Sequence, residues 1–234
     1  MIHLIFDLDG TLVDHRGRTY GLHVAYCQEH GYAPVPTAAY RARKAEGESE
    51  RQTVRDSIPA GELDGYMEWK RAHIESDEAL ALDTARPEML ALLGRLSRRA
   101  KLVLLTSRQS EPQARKELLR LGIAERFGAV LAAPSDGSTT SKLAALREYL
   151  DRAAAAPSSV ILIGDTECEI AVARAVGAAC LSVTWGIRGE AFLAARRPDG
   201  IARSVAELER LIEARLRPAV LRQAPSTSRP RNRR

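Results

Sequence analysis

Five short apolar runs set the hydrophobic pattern of this 234-residue chain, and each is bounded by polar or turn-forming residues. Continuous apolar runs of this length are typical of strands that are buried on both faces, as they are in parallel sheets. The pattern therefore predicts five core strands, at residues 2–6, 102–105, 129–131, 160–163 and 180–183.

Helical periodicity fills the intervals between the later runs. Pro87 suits the first turn of a helix, and Gly122 and Gly177 suit the position just past a helix end. The spacing Ser204-x-x-Glu207 is that of a capping box opening a last helix. The other predicted helices cover residues 87–99, 111–121, 142–155 and 169–176. Strands that alternate with helices imply right-handed crossovers and an α/β fold with a mostly parallel sheet.

Residues 16–84 break this alternation. They contain four amphipathic stretches, near residues 20–30, 37–46, 49–57 and 62–80, separated by glycine and proline turn signals. We therefore predict an all-helical cap at 16–84, inserted into a core formed by residues 1–15 and 85–213.

Two carboxylates follow the first apolar run, within residues 7–14, Asp-Leu-Asp-Gly-Thr-Leu-Val-Asp. Asp7 and Asp9 emerge where the buried strand would end, and Gly10 allows a sharp turn after them. Thr106 and Asp165 also follow apolar runs. Because ligands of open α/β sheets bind beyond the carboxyl ends of the strands, these positions favour chemistry over packing.

The octet at residues 7–14 resembles, residue for residue, the segment that opens the aspartate-nucleophile phosphatases of the haloacid dehalogenase superfamily. The resemblance continues through Thr106, Lys142 and Gly164-Asp165, in the family's order, to about residue 212. It implies a Rossmann-like core, with a cap similar to those of phosphoglycolate phosphatase-like and β-phosphoglucomutase-like members.

The resemblance also implies catalytic roles. Asp7 would be the nucleophile that forms an aspartyl phosphate, and Asp9 would protonate the leaving group and later deprotonate water. Thr106 would donate a hydrogen bond to the phosphoryl group, and Lys142 would neutralise charge around it. Dehalogenases expel halide, which needs no proton, so the second aspartate favours phosphoryl transfer.

The converging acids indicate a metal. Carboxylates beside a phosphate dianion repel one another unless a cation intervenes, and hard oxygen ligands suit Mg²⁺. The predicted ligands are Asp7, the backbone carbonyl of Asp9, and Asp165. Glu169 stands where the family usually has aspartate, and three roles remain open: a metal contact, direct or through water, orientation of Lys142, or an acid at a helix N-terminus.

Substrate contacts are less specific in the sequence. Ser107 and Arg108 follow Thr106 where relatives often have asparagine and lysine, and Arg108 would either contact the substrate or be solvated. Arg51 and Arg55 are four residues apart and should share a helix face. They would either reach a second anionic group of the substrate or pair with neighbouring glutamates.

The net charge of +5 belongs to the C-terminal segment, because residues 214–234 hold seven arginines and no acidic residue. We expect this segment to be disordered, and a solubilising role is favoured over a nucleic-acid contact. Three widely spaced cysteines argue against disulfides and a zinc site. No run approaches the roughly 20 apolar residues that cross a bilayer, and we expect a cytoplasmic protein.

These features together predict a Mg²⁺-dependent phosphatase of a small phosphorylated metabolite, such as phosphoglycolate or a sugar phosphate. The substrate is the only partner that the pattern specifies; the oligomeric state is left open. Two alternatives remain: a phosphomutase of the β-phosphoglucomutase type, which would return the phosphoryl group to its substrate, and a non-catalytic binding protein on the same scaffold.

Overall fold

The computed structural model describes residues 1–134 and 139–216, and these form eight strands. Six of the strands make one parallel sheet in the order β5-β4-β1-β6-β7-β8, and β2 and β3 make a separate antiparallel pair. Their bounds are β1 His3–Phe6, β2 Val13–Asp14, β3 Thr84–Ala85, β4 Lys101–Thr106, β5 Phe127–Ala132, β6 Val160–Gly164, β7 Ala179–Val183 and β8 Gly200–Ala202.

Helices connect these strands and cover both faces of the sheet. Their bounds are α1 Arg16–Glu29, α2 Thr37–Ala45, α3 Glu50–Val54, α4 Leu63–His73, α5 Asp77–Leu80, α6 Pro87–Leu96, α7 Glu111–Arg120, α8 Thr140–Ala153, α9 Glu167–Val176, α10 Glu190–Ala194 and α11 Val205–Leu216. The predicted α/β class is confirmed. None of the helices within the described ranges is long and apolar enough to cross a bilayer.

The central strand β1 shows why its sequence is apolar throughout. Leu4 and Phe6 pack into the hydrophobic core on one face of the sheet, whereas Ile5 packs into the core on the other face. Side chains alternate between the two faces of a strand, so a strand covered on both faces needs apolar residues at every position.

The register of the sheet brings the functional strand ends together. Phe6 of β1 pairs with Leu104 of β4 on one side and with Ile163 of β6 on the other. All three strands run parallel, so the residues that follow them emerge at the same edge. Asp7, Thr106 and Asp165 therefore share one crevice.

The antiparallel pair of β2 and β3 brackets the helices α1 to α5. Val13 pairs with Ala85 and Asp14 pairs with Thr84, so the chain leaves and re-enters the sheet region at one place. The helices in between have their own hydrophobic core, formed by Tyr26, Cys27, Val35, Tyr40, Val54, Ile58 and Tyr66. The exact boundaries of 16–84 as a separate cap domain stay a prediction.

Several details differ from the sequence-based expectations. The sixth strand, β8, was not predicted because Gly200–Ala202 is too short and too weakly apolar to stand out. The stretch 62–80 splits into α4 and α5, where Ser76 caps the second helix by accepting from the N–H of Ala79 at 3.2 Å.

The capping box before α11 forms only in part. The N–H of Glu207 donates to the Ser204 hydroxyl at 3.2 Å, but the Glu207 carboxylate accepts from the N–H of Arg203 instead of Ser204. Helix α11 runs to Leu216, so residues 214–216, predicted as the start of a disordered tail, are helical. The rest of that predicted tail lies outside the described residues.

Candidate active site

Asp7 and Lys142 form a buried ion pair at the centre of the crevice. Asp7 is the first residue past β1, and its N–H donates to the carbonyl of Ile163 at 2.9 Å, which fixes it to the neighbouring strand. Lys142 lies in the first turn of α8, and its Nζ donates to Asp7 Oδ1 at 2.7 Å. The two partners of this ion pair are 135 positions apart in the sequence.

Glu169 holds the other side of this lysine. Lys142 Nζ donates to Glu169 Oε1 at 2.6 Å, and the Thr166 hydroxyl donates to Oε2 at 2.6 Å. A Cβ at position 164 would collide with the Glu169 side chain, so Gly164 leaves the room that the longer acid occupies. Of the three roles left open by the sequence, orientation of Lys142 is the one that these contacts favour.

Asp165 is fully buried, and two glycines enclose its carboxylate. Oδ1 accepts from the Thr11 hydroxyl at 3.2 Å, and Oδ2 accepts from the N–H of Ile187 at 2.7 Å. A Cβ at Gly10 or at Gly186 would collide with this carboxylate, and Gly10 also has a φ of +83°. At these two positions the chain has glycine because a side chain would displace Asp165.

The electrostatics of the three carboxylates fit a divalent cation. Burial raises the pKa of Asp7 to about 7 although Lys142 opposes it, and burial followed by repulsion from Asp7 raises the pKa of Asp165 well above its usual range. Burial alone would lower the pKa of Lys142, but Asp7 and Glu169 raise it well above its ordinary value. Asp7, Asp165 and Glu169 are three buried acids, and Lys142 is an ammonium that contacts Asp7 and Glu169. When all three acids are ionised, a 2+ ion would balance the excess of two negative charges.

The atoms available as metal ligands indicate which kind of ion the site would bind. In the described part of the chain, no three acidic, imidazole or thiol side chains converge as a metal cage. Asp7 is a hard oxygen donor that lines an open cavity, and the buried Asp165, whose pKa is raised by repulsion from Asp7, is a second one. Mg²⁺ commonly binds through one or two carboxylates, keeping waters and substrate oxygens as its other ligands.

Asp9 is held by two arginines. Arg18 Nη2 approaches Oδ1 at 2.5 Å, and Arg108 donates through Nε to Oδ2 at 3.0 Å and through Nη2 to Oδ1 at 2.9 Å. Burial would raise the pKa of Asp9, but the two guanidinium groups outweigh burial and lower it. Asp9 is therefore a carboxylate in this arrangement, while 28 % of its side chain stays exposed.

A buried charge network extends behind these arginines. Both reach Asp83, Arg18 through Nε at 2.9 Å and Arg108 through Nη2 at 3.1 Å. Arg108 Nη2 also contacts Glu117 at 2.5 Å. Burial raises the pKa of Glu117 to about 7 despite Arg108, with Asp83 adding repulsion. The network links α1, the residues before β3, and α7 to the acid at position 9.

An active-site cavity of about 330 Å³ opens beside these groups. Asp7, Asp9 and Lys142 line it, together with Thr106 and Ser107 at the end of β4. The Thr106 hydroxyl accepts from the N–H of Arg108 at 3.4 Å and keeps its own proton for another partner. Five of the ten candidate residues from the sequence, including all four that were assigned catalytic roles, therefore line one cavity.

Three predicted substrate-binding arginines have other partners. Arg108 is buried in the network described above, so it is neither solvated nor part of the cavity lining. Arg51 pairs with Asp64, and Arg55 pairs with Glu48 at 3.0 Å, which is the salt-bridge alternative. Neither lines the active-site cavity.

Sequence reasoning missed several residues of the site. Thr11 lay inside the recognised octet, and its hydroxyl was the available signal. Arg18 and Arg188 carried none, because their contacts join segments that are far apart in the sequence: Arg18 binds Asp83 at 2.9 Å, and Arg188 binds the carbonyl of Lys44 at 2.7 Å.

A parallel sheet with an aspartate–lysine pair and a further buried acid at its strand ends is the arrangement expected of a hydrolase that uses an aspartate. The chain belongs to the haloacid dehalogenase-like hydrolase family, whose family model matches residues 3–177. The family model describes its members as hydrolases.

Two curated relatives are similar to this chain over most of its length. The chain is 27 % identical over 211 residues to a phosphoglycolate phosphatase of Synechococcus elongatus, which covers 88 % of this chain and 94 % of the relative. It is also 27 % identical to the tyrosine-protein kinase PtkA of Mycobacterium tuberculosis, over 90 % of this chain and 71 % of that protein.

Solved structures show the same fold. The haloacid dehalogenase-like family protein SP0104 of Streptococcus pneumoniae superposes with a TM-score of 0.76 at 24 % identity, covering 91 % of this chain and 98 % of its own.

Proposed function

We propose that the protein hydrolyses a small phosphate monoester, with Mg²⁺, through an aspartyl phosphate on Asp7. The observation that carries this proposal is the 2.7 Å contact between Lys142 and Asp7 at the wall of an open cavity. A carboxylate aligned by a buried ammonium has the charge balance that attack on a phosphoryl group requires.

The reaction would take two displacements. In the first, an Asp7 oxygen attacks phosphorus, the ester P–O bond breaks, and the leaving alkoxide takes a proton from Asp9. In the second, Asp9 takes a proton from water, the water oxygen attacks phosphorus, and the acyl phosphate bond breaks to release phosphate and Asp7. Lys142 neutralises charge, and Thr106 donates to a phosphoryl oxygen.

Mg²⁺ would be held by Asp7, the backbone carbonyl of Asp9, and Asp165, and it would supply positive charge to the phosphoryl oxygens. Glu169 is left out of this ligand set because its contacts with the Lys142 ammonium and the Thr166 hydroxyl support a different role. Its role would be to position Lys142.

The first displacement needs Asp9 to carry a proton, whereas two arginines hold it ionised. Since Arg18 belongs to α1, a displacement of the α1 to α5 segment would remove that cation from Asp9. The same displacement would thereby raise the pKa of Asp9, with Arg108 remaining as its other cation. The ionised Asp9 is already suited to the second displacement.

The test is phosphate release from a panel of phosphorylated metabolites, with and without Mg²⁺, with the Asp7→Asn variant as the blank. Metal-dependent release that is lost in the variant supports the proposal. Interconversion of substrate that needs a bisphosphate activator and releases no phosphate would indicate the mutase instead. Consumption of ATP with phosphorylation of a protein tyrosine would indicate the activity for which PtkA is named.

A further inference from the structure

A second cavity, of about 180 Å³, lies between α1, α2 and the loop after β7. We call it the cationic cavity, because its charged lining residues are Arg16, Arg41, Lys44 and Arg188. No carboxylate of the described residues lines it. His15, Ile187 and Arg188 line both this cavity and the active-site cavity, so the two are adjacent.

Two of the four cations are already neutralised. Arg16 binds Asp14 through Nε at 2.8 Å, and Arg188 binds Glu167 through Nε and Nη2, each at 2.9 Å. Arg16 and Arg188 therefore contribute to the shape of the cavity wall, and their positive charges are already paired with carboxylates.

Lys44 and Arg41 carry the uncompensated charge. Lys44 is buried, and its ion pair with Glu50 is loose, with 3.4 Å between Nζ and Oε2. Lys70 holds the same carboxylate at 2.5 Å, and the hydroxyls of Tyr40 and Tyr66 also donate to it. The Glu50 carboxylate is thus the shared partner of Lys44 and Lys70, and its single negative charge leaves one of the two positive charges uncompensated.

Arg41 adds a second positive charge at the mouth of the cavity. It is exposed and forms no ion pair within the described part of the chain. A buried lysine that is only partly neutralised is costly unless another anion reaches it. The arrangement is therefore suited to an incoming anion.

His15 lies on the wall that the two cavities share. It is only 8 % exposed, and its Nδ1 has no hydrogen-bond partner among the described groups. Buried polar atoms are normally paired, so an unpaired ring nitrogen on a shared wall points to a group that arrives with a ligand.

We propose that the cationic cavity binds a second anionic group, a carboxylate or a phosphate, on the substrate whose phosphoryl group meets Asp7. The inference rests on the proposed function. A dry cavity of about 150 Å³ can hold benzene, so this space admits several carbon atoms with their charged end. The favoured substrates are phosphorylated hydroxy acids or bisphosphates, rather than monophosphates of neutral sugars.

A matched pair of probes tests this. 3-Phosphoglycerate and glycerol 3-phosphate differ only in a carboxylate that replaces a hydroxymethyl group. We expect the Mg²⁺-loaded enzyme to prefer the carboxylate by at least about tenfold in kcat/KM, mainly through KM, as one charge-assisted hydrogen bond allows. Fructose 1,6-bisphosphate against fructose 6-phosphate asks whether a phosphate serves equally well. Equal kcat/KM values within both pairs would overturn the inference and leave the phosphatase proposal standing.

Variants of the lining residues test whether the preference for an anionic substrate arises in the cationic cavity. Lys44→Met and Arg41→Gln should each cut the preference for the anionic probe, Lys44→Met by about tenfold. Arg41 is exposed, so its variant should fold even if Lys44→Met does not. Arg43→Gln is the matched control, since Arg43 lies on the same helix but pairs with Asp56 and should leave the preference unchanged. Loss of preference in Arg43→Gln alone would contradict the assignment.

A binding measurement tests the anion site independently of phosphate hydrolysis. In the Asp7→Asn background with Mg²⁺, calorimetry should show tighter binding of 3-phosphoglycerate than of glycerol 3-phosphate, with the difference lost on Lys44→Met. That result with no hydrolysis in the parent enzyme would refute the phosphatase and keep the anion site. Equal affinities, or no binding of either probe, would refute the anion site.

Discussion

Arg18 of helix α1 forms an ion pair with Asp9, the acid that follows strand β1, with 2.5 Å between Nη2 and Oδ1. The side chain of Arg18 is 1 % exposed, and its guanidinium also holds Asp83 and the carbonyl of Ile74. The pair therefore connects the α1 to α5 helices to the carboxyl-end edge of the sheet through the buried guanidinium of Arg18.

Removal of Arg18 should be strongly destabilising. Arg18→Met leaves the buried Asp83 with one arginine fewer, and loss of one partner from a buried pair typically costs about 3–5 kcal/mol. Urea unfolding measures this cost. The control is Arg16→Met, whose partner Asp14 is 28 % exposed, so the loss should stay below about 1 kcal/mol.

A double-mutant cycle sharpens that prediction. Arg18→Met combined with Asp83→Asn should cost less than the two single changes added together, since the double variant no longer buries an unpaired charge. Strict additivity would mean that the contact between these residues contributes nothing to the free energy of unfolding.

The two aspartates at positions 9 and 14 should behave differently in catalysis. Asp9→Asn removes the proposed acid and base and should lower kcat by about 10²–10⁴-fold. Asp14 faces Arg16 instead and lies outside the lining of the active-site cavity, so Asp14→Asn should have a far smaller effect. Steady-state kinetics on a substrate from the panel compares them, and equal losses would show that Asp9 moves no proton.

Glu117 should make stability depend on pH. Its pKa rises from an ordinary value of 4.5 to about 7 in the fold. Between these values the folded state retains a proton that the unfolded state has lost, so stability falls as pH rises. Glu117→Gln removes this dependence, and relative to the variant the parent should lose on the order of 2–3 kcal/mol between pH 4.5 and 7.5.

Unfolding free energies at pH 4.5, 6 and 7.5 give the difference between the two proteins. Glu111→Gln, on the exposed face of the same helix, is the control, and its difference should vary little. A Glu117→Gln difference that stays constant over this range would mean that Glu117 is ionised throughout, held by Arg108.

The strand ends were predictable because the apolar runs and the octet specify them locally. Asp7, Thr106 and Asp165 follow buried strands, and parallel pairing forces them to one edge. Lys142 was identified by resemblance, and its contact with Asp7 spans 135 positions of the sequence. Its position in the first turn of α8 brings it to that edge.

The arginines were not predictable in the same way. An arginine has the same local pattern whether it is solvated, as expected for one reading of Arg108, or buried in a network with Asp9 and Glu117. Which state holds depends on acids contributed by other elements. The sequence suggested Arg51 and Arg55 for substrate binding and did not suggest Lys44 and Arg41, the cations of the proposed anion site. The reason is the same, because helix spacing does not show which face of a helix lines a cavity.

Gly186, one of the two glycines that approach Asp165, offers a test of the proposed metal site. A methyl group at position 186 would collide with the Asp165 carboxylate, which is fixed by Ile187 and Thr11. Gly186→Ala should displace that carboxylate, and disturbances of this kind typically lower metal affinity by about 10–100-fold. The Mg²⁺ concentration that gives half-maximal phosphate release should rise accordingly.

Gly65→Ala is the matched control, because a Cβ there meets open space on α4. It should leave the Mg²⁺ requirement unchanged and stabilise the helix slightly, since alanine has the higher helix propensity. If Gly186→Ala and Gly65→Ala share one Mg²⁺ titration curve, Asp165 is not a ligand of the catalytic ion. The buried acids would then need another source of positive charge, for which Lys142 alone is too little.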